Sequence, residues 1–256
     1  MTRRTWYHTI DLPGGPTPGY FDTRQAPPMV PWPAVAGTRA LDVGTFDGFW
    51  AFELERRGAR EVVAIDIEDP RRIDWAYDHR VSGPAAIREW GAGRGPNFAE
   101  AAGALGSRVT WRDRSVYELN ADQDGRFDVV VCGALLLHLR DPVLALERMR
   151  AVCSGHLVLV EAIDPMLELA LPRAAVAHIR PEDDEWWRVN SAGLRKLVDT
   201  AGFEVTAVGS RFLVPHGAGA PRGHKLSMVG GLVTGQPGRR GLLTRAVVAR
   251  PRPPRG

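Results

Sequence analysis

From Thr38 onward, short apolar runs alternate with stretches whose apolar positions recur every three or four residues. The runs are "RALDV" (39–43), "EVVAIDI" (61–67), "RVTWRD" (108–113), "RFDVVVCG" (126–133) and "HLVLVEAI" (156–163). They lack in–out alternation, which is the pattern of strands covered on both faces in a parallel sheet. Helical patterns lie between them. In "FDGFWAFELERRG" (46–58), Phe46, Trp50 and Leu54 fall at i, i+4 and i+8, and Gly58 is a natural stop. A long stretch, 68–107, holds a further helix near 97–105. "DPVLALERMRAVC" (141–153) opens with Asp141 as N-cap and Pro142 at the first helical position. "NSAGLRKLVDTAG" (190–202) sets Leu194, Leu197, Val198 and Ala201 on one stripe.

Strands separated by helices predict right-handed crossovers and a Rossmann-like, doubly wound α/β sheet. Two further runs, "FEVTAVGSRFLV" (203–214) and "LLTRAVVA" (242–249), are joined by a Gly-rich loop instead of a helix. They predict an antiparallel hairpin at the sheet edge, giving seven strands, mostly parallel. Residues 1–37 differ: seven prolines between Asp11 and Pro33 exclude an ordinary helix or central strand. Trp6, Tyr7, Tyr20, Phe21 and Trp32 are too many large apolar groups for a free tail, so an ordered arm across the main domain is expected. The chain thus divides into an arm (1–37), one domain (38–250) with 68–107 as an insertion or lid, and a flexible basic tail (251–256).

Composition changes this picture only locally. At 44% hydrophobic and 25% charged, the 256 residues make an ordinary soluble globular protein. No apolar run reaches the roughly 20 residues that span a bilayer, so no membrane partner is expected. The opening "MTRRTWYHTIDLPGG" has no apolar core of a secretory signal, so the cytoplasm is the expected compartment. Cys132 and Cys153, without CxxC spacing, are expected as buried thiols. Net charge is +3, yet no acid follows Glu204, and the last 52 residues hold nine basic ones. Such an end can face nucleic acid or an anionic substrate. A solvated face with a frayed tail is the preferred reading, because no aromatic residue interleaves the last 44 positions. A homodimer stays open.

The chemistry gathers at "LDVGTFDGFWA" (41–51), a strand running through a loop into a helix. In a doubly wound sheet, ligands bind beyond the carboxyl ends of the strands near the first strand. A dinucleotide loop counted from Gly44 would need glycine at 46 and 49, and both are Phe. No Gly-Lys pair makes a Walker loop. Phosphate is therefore disfavoured. Asp42, Gly44, Gly48 and Asp66, the last closing the second strand, suit an adenosine with a positive centre and no phosphate: Asp66 can accept from both ribose hydroxyls, and an acidic loop suits a sulfonium and an ammonium. S-adenosylmethionine is such a ligand.

"LDVGTFDGFWAFELERRGAREVVAIDI", "SVYEL" (115–119), "FDVVVCGALLLHLRDP" (127–142) and "WWRVNSAGLRKLVDTAGFEV" (186–205) resemble the class I S-adenosylmethionine-dependent methyltransferases. More narrowly they resemble the branch that includes the tRNA wobble-uridine carboxymethyltransferases. The resemblance runs from about 38 to 210, and the arm "WYHTIDLPGGPTPGYFDTR" shares it. It implies that Asp42, Gly44, Thr45, Phe46 and Gly48 hold the methionine part. Asp66 would bind the ribose, Ile67 would pack on the adenine, Ser115 and Val116 would line the adenine edge, and Cys132 and Gly133 would pass beneath the cofactor. The superfamily often has Asp where Ser115 stands. The tRNA enzymes of the branch use a carboxylated cofactor, held by a lysine upstream of the loop and a tyrosine before the fourth-strand His. Here no lysine precedes position 196 and Leu137 stands before His138, so plain S-adenosylmethionine is expected.

Methyl transfer to a hydroxyl needs an oriented acceptor and a base. His138, at the end of the fourth strand, is the first candidate, and His8 the second if the arm folds over the pocket. Trp6, Trp186, Trp187, Glu161 and Asn190 are candidate acceptor contacts, with core packing or helix capping as their plainer roles. No His spacing calls for a metal. The readings are an enzyme methylating O or N of a small metabolite, a tRNA-modifying enzyme, and a non-catalytic cofactor-binding protein. A dehydrogenase is opposed by Phe46 and Phe49.

Overall fold

The computed structural model describes residues 5–75, 94–179, 185–220 and 241–253. Seven strands make one sheet: β1 (Arg39–Val43), β2 (Glu61–Asp66), β3 (Thr110–Asp113), β4 (Phe127–Gly133), β5 (Cys153–Ala162), β6 (Phe203–Pro215) and β7 (Gly241–Pro251). Their spatial order is β6-β7-β5-β4-β1-β2-β3. β1 pairs in parallel with β2 and β4, β2 with β3, and β4 with β5. Only β7 runs against its neighbours β5 and β6.

The closing hairpin stands at the sheet edge as expected, with its second strand on the inner side: β7 inserts between β5 and β6. Burial gives the reason. Ala246, Val247, Val248 and Ala249 are consecutive and buried, so β7 offers apolar groups to both faces. β6 leaves Glu204, Thr206, Ser210 and Arg211 exposed and is interrupted by two register shifts, features that blunt a sheet edge.

Alternate residues of the strands feed two apolar layers. Leu41, Val43, Val130 and Leu157 pack with α3 (Pro142–Val152) and α4 (Ser191–Thr200) through Leu146, Met149, Leu194 and Val198. Ala40, Val62, Val129 and Val158 face the other way, onto α1 (Phe49–Arg56) and α2 (Arg94–Leu105) through Trp50, Leu54, Phe98 and Ala101. α1 starts three residues later than its periodicity predicts. Phe46 (φ +52°) and Gly48 (φ +101°) are left-handed, which breaks the helical run, so Phe46 belongs to the loop. β5 starts at Cys153, directly off α3. Both cysteines are buried, and burial pushes the Cys153 thiol up to about 12.

The arm is ordered. Its strands Trp6–His8 and Gly19–Phe21 pair in parallel, Phe21 bridges His216, and the Asp22 N–H donates to the Pro215 carbonyl at 2.8 Å. Trp6, Ile10 and Phe21 join the second apolar layer. The tail begins later than expected: Pro251 belongs to β7, and the Arg252 N–H donates to the Gly202 carbonyl at 2.9 Å. Much of the expected lid, 76–93, lies outside the described residues. No helix among the described residues is long and apolar enough to cross a membrane.

Candidate functional site

β1 ends at Val43, and the chain turns at Gly44 with φ +73°. The Gly44 and Thr45 N–H groups both donate to the Ile65 carbonyl, at 2.9 and 3.0 Å, which ties the loop to β2. A Cβ on Gly44 would stand 2.9 Å from Leu135 Cδ2. Conformation and close approach therefore both require glycine here. At Gly133 a Cβ would run into the Trp50 indole.

Beyond the carboxyl ends of β1 to β4 lies a cleft of about 1030 Å³, counting the part open to solvent. Gly44, Phe46, Asp66, Ile67, Ser115, Val116 and Gly133 all line it, as do His8 and His138. Asp42, Thr45, Gly48 and Cys132 stand behind this surface. Asp42 is 1% exposed, and neither of its carboxylate oxygens makes a well-formed hydrogen bond among the described residues, although the Thr45 hydroxyl and the Ala51 N–H face it. A buried acid so placed is costly, and burial pushes its carboxyl up to about 7. A cation reaching the loop would satisfy it. Gly48 caps α1, and Cys132 is wholly enclosed.

Asp66 is busier than its sequence role implies. Oδ1 accepts from the Ile67 N–H at 2.7 Å and from Arg94 Nη1 at 2.9 Å, while Oδ2 accepts from the Phe46 N–H at 2.7 Å. The Arg94 guanidinium also lies 5.0 Å from the Phe46 ring centroid. It thus stands on the carboxylate that the resemblance reserves for ribose.

His138 ends the turn Leu136–His138 after β4. Ala134 takes a left-handed φ of +49°, and Glu161 Oε1 accepts from the Leu135 and Leu136 N–H groups, both at 2.9 Å. Burial pushes the Glu161 carboxyl up to about 8. Glu161 therefore fixes the loop that carries His138, and it lines a separate small cavity with Trp187.

The other candidate acceptor contacts are corrected similarly. The Trp186 indole N–H donates to the Asp74 carbonyl at 2.7 Å and that of Trp187 to the Leu139 carbonyl at 2.9 Å, so both rings are stapled to loops and neither lines the main cleft. Asn190 is fully buried: its Oδ1 caps α4 at the Gly193 N–H (2.8 Å), and its Nδ2 donates to the Leu171 and Ala174 carbonyls. Trp6 packs in the core.

Sequence reasoning missed several residues that the fold brings to the cleft. Tyr7 lines it, and burial holds its phenol well above the ordinary value, which makes it a donor and not a base. Asp74, Tyr117 and Arg94 also line it, with the Tyr117 hydroxyl donating to Asp74 Oδ2 at 2.7 Å. Asp47 supports the arm from behind. The one signal available was "WYH", whose aromatic weight marked the arm but not its partner.

A family model described as "Methyltransferase domain" matches residues 23–208, and the chain belongs to that family. A ubiquinone biosynthesis O-methyltransferase of Xanthomonas euvesicatoria is 32% identical over 108 residues, 42% of this chain. That match spans 35% of the relative's length. The 1,6-didemethyltoxoflavin-N1-methyltransferase of Burkholderia thailandensis, solved with its substrate and S-adenosylhomocysteine, shares the fold at TM-score 0.52 and 17% identity. The alignment covers 85% of this chain and 72% of that one. The magnesium protoporphyrin IX methyltransferase of Synechocystis, solved with S-adenosylhomocysteine, aligns at TM-score 0.52 and 15% identity, over 85% of this chain and 75% of that one.

Proposed function

We propose that the protein is an S-adenosylmethionine-dependent methyltransferase acting on O or N of a small-molecule acceptor. The observation that carries this reading is the joint lining of one cleft by Gly44, Phe46, Asp66, Ile67, Ser115, Val116 and Gly133, with the buried Asp42 carboxylate behind the loop. These residues fit a cationic nucleoside: glycine where the backbone must come close, a carboxylate for ribose, and a buried acid lacking a cation. Bound there, the cofactor supplies an electrophilic methyl group. Phe46 and Phe49 stand at the two positions where a dinucleotide loop counted from Gly44 would need glycine.

On the acceptor side, Tyr7, Leu135, His138 and Leu139 give a mostly apolar wall with one imidazole. His138 is the base proposed for a hydroxyl acceptor, held in place by the Glu161-pinned loop. The oxygen acceptor of the ubiquinone-type relative agrees with this reading. Isothermal titration tests it: S-adenosylhomocysteine should bind with one site per chain and NAD should not. NAD binding without S-adenosylhomocysteine binding would sink the proposal.

The tRNA wobble-uridine reading, with a carboxylated cofactor, is the rival, and the acid-free C-terminal segment favours it. Four basic residues of that segment are engaged within the chain: Arg211 and Arg245 lie near Glu168, Arg250 donates to His156, and Arg252 pairs with Asp199. That internal use is why the small acceptor is preferred. Filter binding decides between them, since a tRNA enzyme would show affinity that falls steeply with salt.

A further inference from the structure

Asp47 is wholly enclosed beside the cleft. Its Oδ2 accepts from the Tyr7 N–H at 2.8 Å and the His8 N–H at 2.9 Å, and its Oδ1 meets His8 Nδ1. One loop carboxylate thus grips two consecutive residues of the arm. Their rings continue the grip: Tyr7 packs on Phe46 with centroids 4.9 Å apart, and His8 stacks on Phe49 at 5.4 Å. His8 lines the cleft. With Nδ1 on Asp47, Nε2 is the ring nitrogen left for a ligand.

Charge at this end of the cleft is one-sided. Asp42 and Asp47 are both buried here. Of the arginines lining the cleft, Arg72 is held by Asp113 and Arg114 by Asp124, and Arg94, which reaches the Phe46 ring, is committed to Asp66. The amino-acid end of the cofactor brings an ammonium and a carboxylate. Asp42 answers the ammonium, and the carboxylate needs a donor. An imidazolium donates from both nitrogens, and a buried aspartate on one of them balances its charge.

Resting on the cofactor reading above, we propose that His8, positioned by Asp47, binds the α-carboxylate of the cofactor's methionine part. The arm is then a wall of the cofactor site. In that role both ring nitrogens donate, one to Asp47 and one to the ligand. No lone pair remains to take a proton, so His8 is not the base, and that task stays with His138.

The test compares S-adenosylhomocysteine with its decarboxylated analogue, S-adenosyl-3-thiopropylamine, by isothermal titration. The unaltered protein should prefer S-adenosylhomocysteine by about tenfold or more, the scale of a charge-assisted hydrogen bond. His8→Ala should remove that preference by weakening S-adenosylhomocysteine alone, and the retained affinity for the analogue shows that the pocket is folded. His8→Gln, which keeps an N–H donor, should restore part of the preference, and Asp47→Asn should reduce it. Equal losses for both ligands, or no loss for either in His8→Ala or His8→Gln, would overturn the assignment. Failure of the unaltered protein to bind S-adenosylhomocysteine would instead sink the cofactor reading itself.

Discussion

The two halves of the cleft are built differently. The glycine-loop half comes from residues 44–67, near in sequence, and backbone groups hold it: Gly44 and Thr45 donate to the Ile65 carbonyl, and Phe46 and Ile67 to Asp66. The opposite half joins distant segments through side chains. Tyr117 reaches Asp74, Trp186 reaches Asp74 across 112 residues of sequence, and Trp187 reaches Leu139. A site held by main chain tolerates change in its side chains and keeps its ligand. A site held by side chains is redrawn by each substitution. On the proposed reading, cofactor recognition draws mainly on the first half and acceptor choice on the second.

This contrast can be broken first at Gly44. Gly44→Val places a branched side chain at φ +73° against Leu135. S-adenosylhomocysteine binding should become undetectable by titration, a loss of about 100-fold or more for strain and overlap of this kind. Asp66→Ala should weaken binding about 30-fold, since it removes an ionised acceptor and leaves the Phe46 N–H unpaired. The melting temperature should fall too.

A pH titration probes the loop without mutation. Burial raises the Asp42 carboxyl to about 7, and a cationic ligand favours its ionised form. Affinity for S-adenosylhomocysteine should therefore be full above that pH and decline below it, approaching tenfold per pH unit. An affinity flat from pH 8 to 5.5 would contradict the role given to Asp42. On the opposite half, Trp186→Phe deletes the indole bond to Asp74 and should cost about 1 kcal/mol of stability by chemical denaturation. S-adenosylhomocysteine affinity should stay unchanged, which is the sharpest expression of the division. The smallest effect is a gain. Arg94→Ala frees Asp66 Oδ1, and binding should tighten about threefold, the modest worth of a screened ion pair.

The sheet was readable because its strands are unbroken apolar runs and its helices carry caps, such as Asp141 before Pro142. The position of β7 was not. Two neighbouring runs imply pairing, but only the consecutive burial of residues 246–249 shows which strand lies inside. The glycine loop was legible because φ above zero and close approach restrict the residue type locally. Arg94 on Asp66 and Asp47 on His8 were not, because each pairs residues far apart, 28 and 39 positions, and charge alone does not choose a partner. For Trp186 and Trp187 the sequence marked large rings near the site, but the partner of each indole N–H, Asp74 and Leu139, was not readable from it.

The insertion of β7 and the pinning of the arm also bear on how the chain is made. The arm is synthesised early, yet Asp22 waits for Pro215, and the outer edge of β5 waits for residues 244–249. At about 5–20 residues per second, roughly 200 intervening residues take about 10–40 s to emerge. Once made, β5 offers an unpaired edge for the roughly 80 residues that precede its partner, about 4–16 s at that rate, and Phe21 lacks its His216 bridge for the whole interval. The ribosome-bound intermediate is thus the species most in need of a chaperone, and translation speed through the last third of the message should govern how much protein reaches the native state.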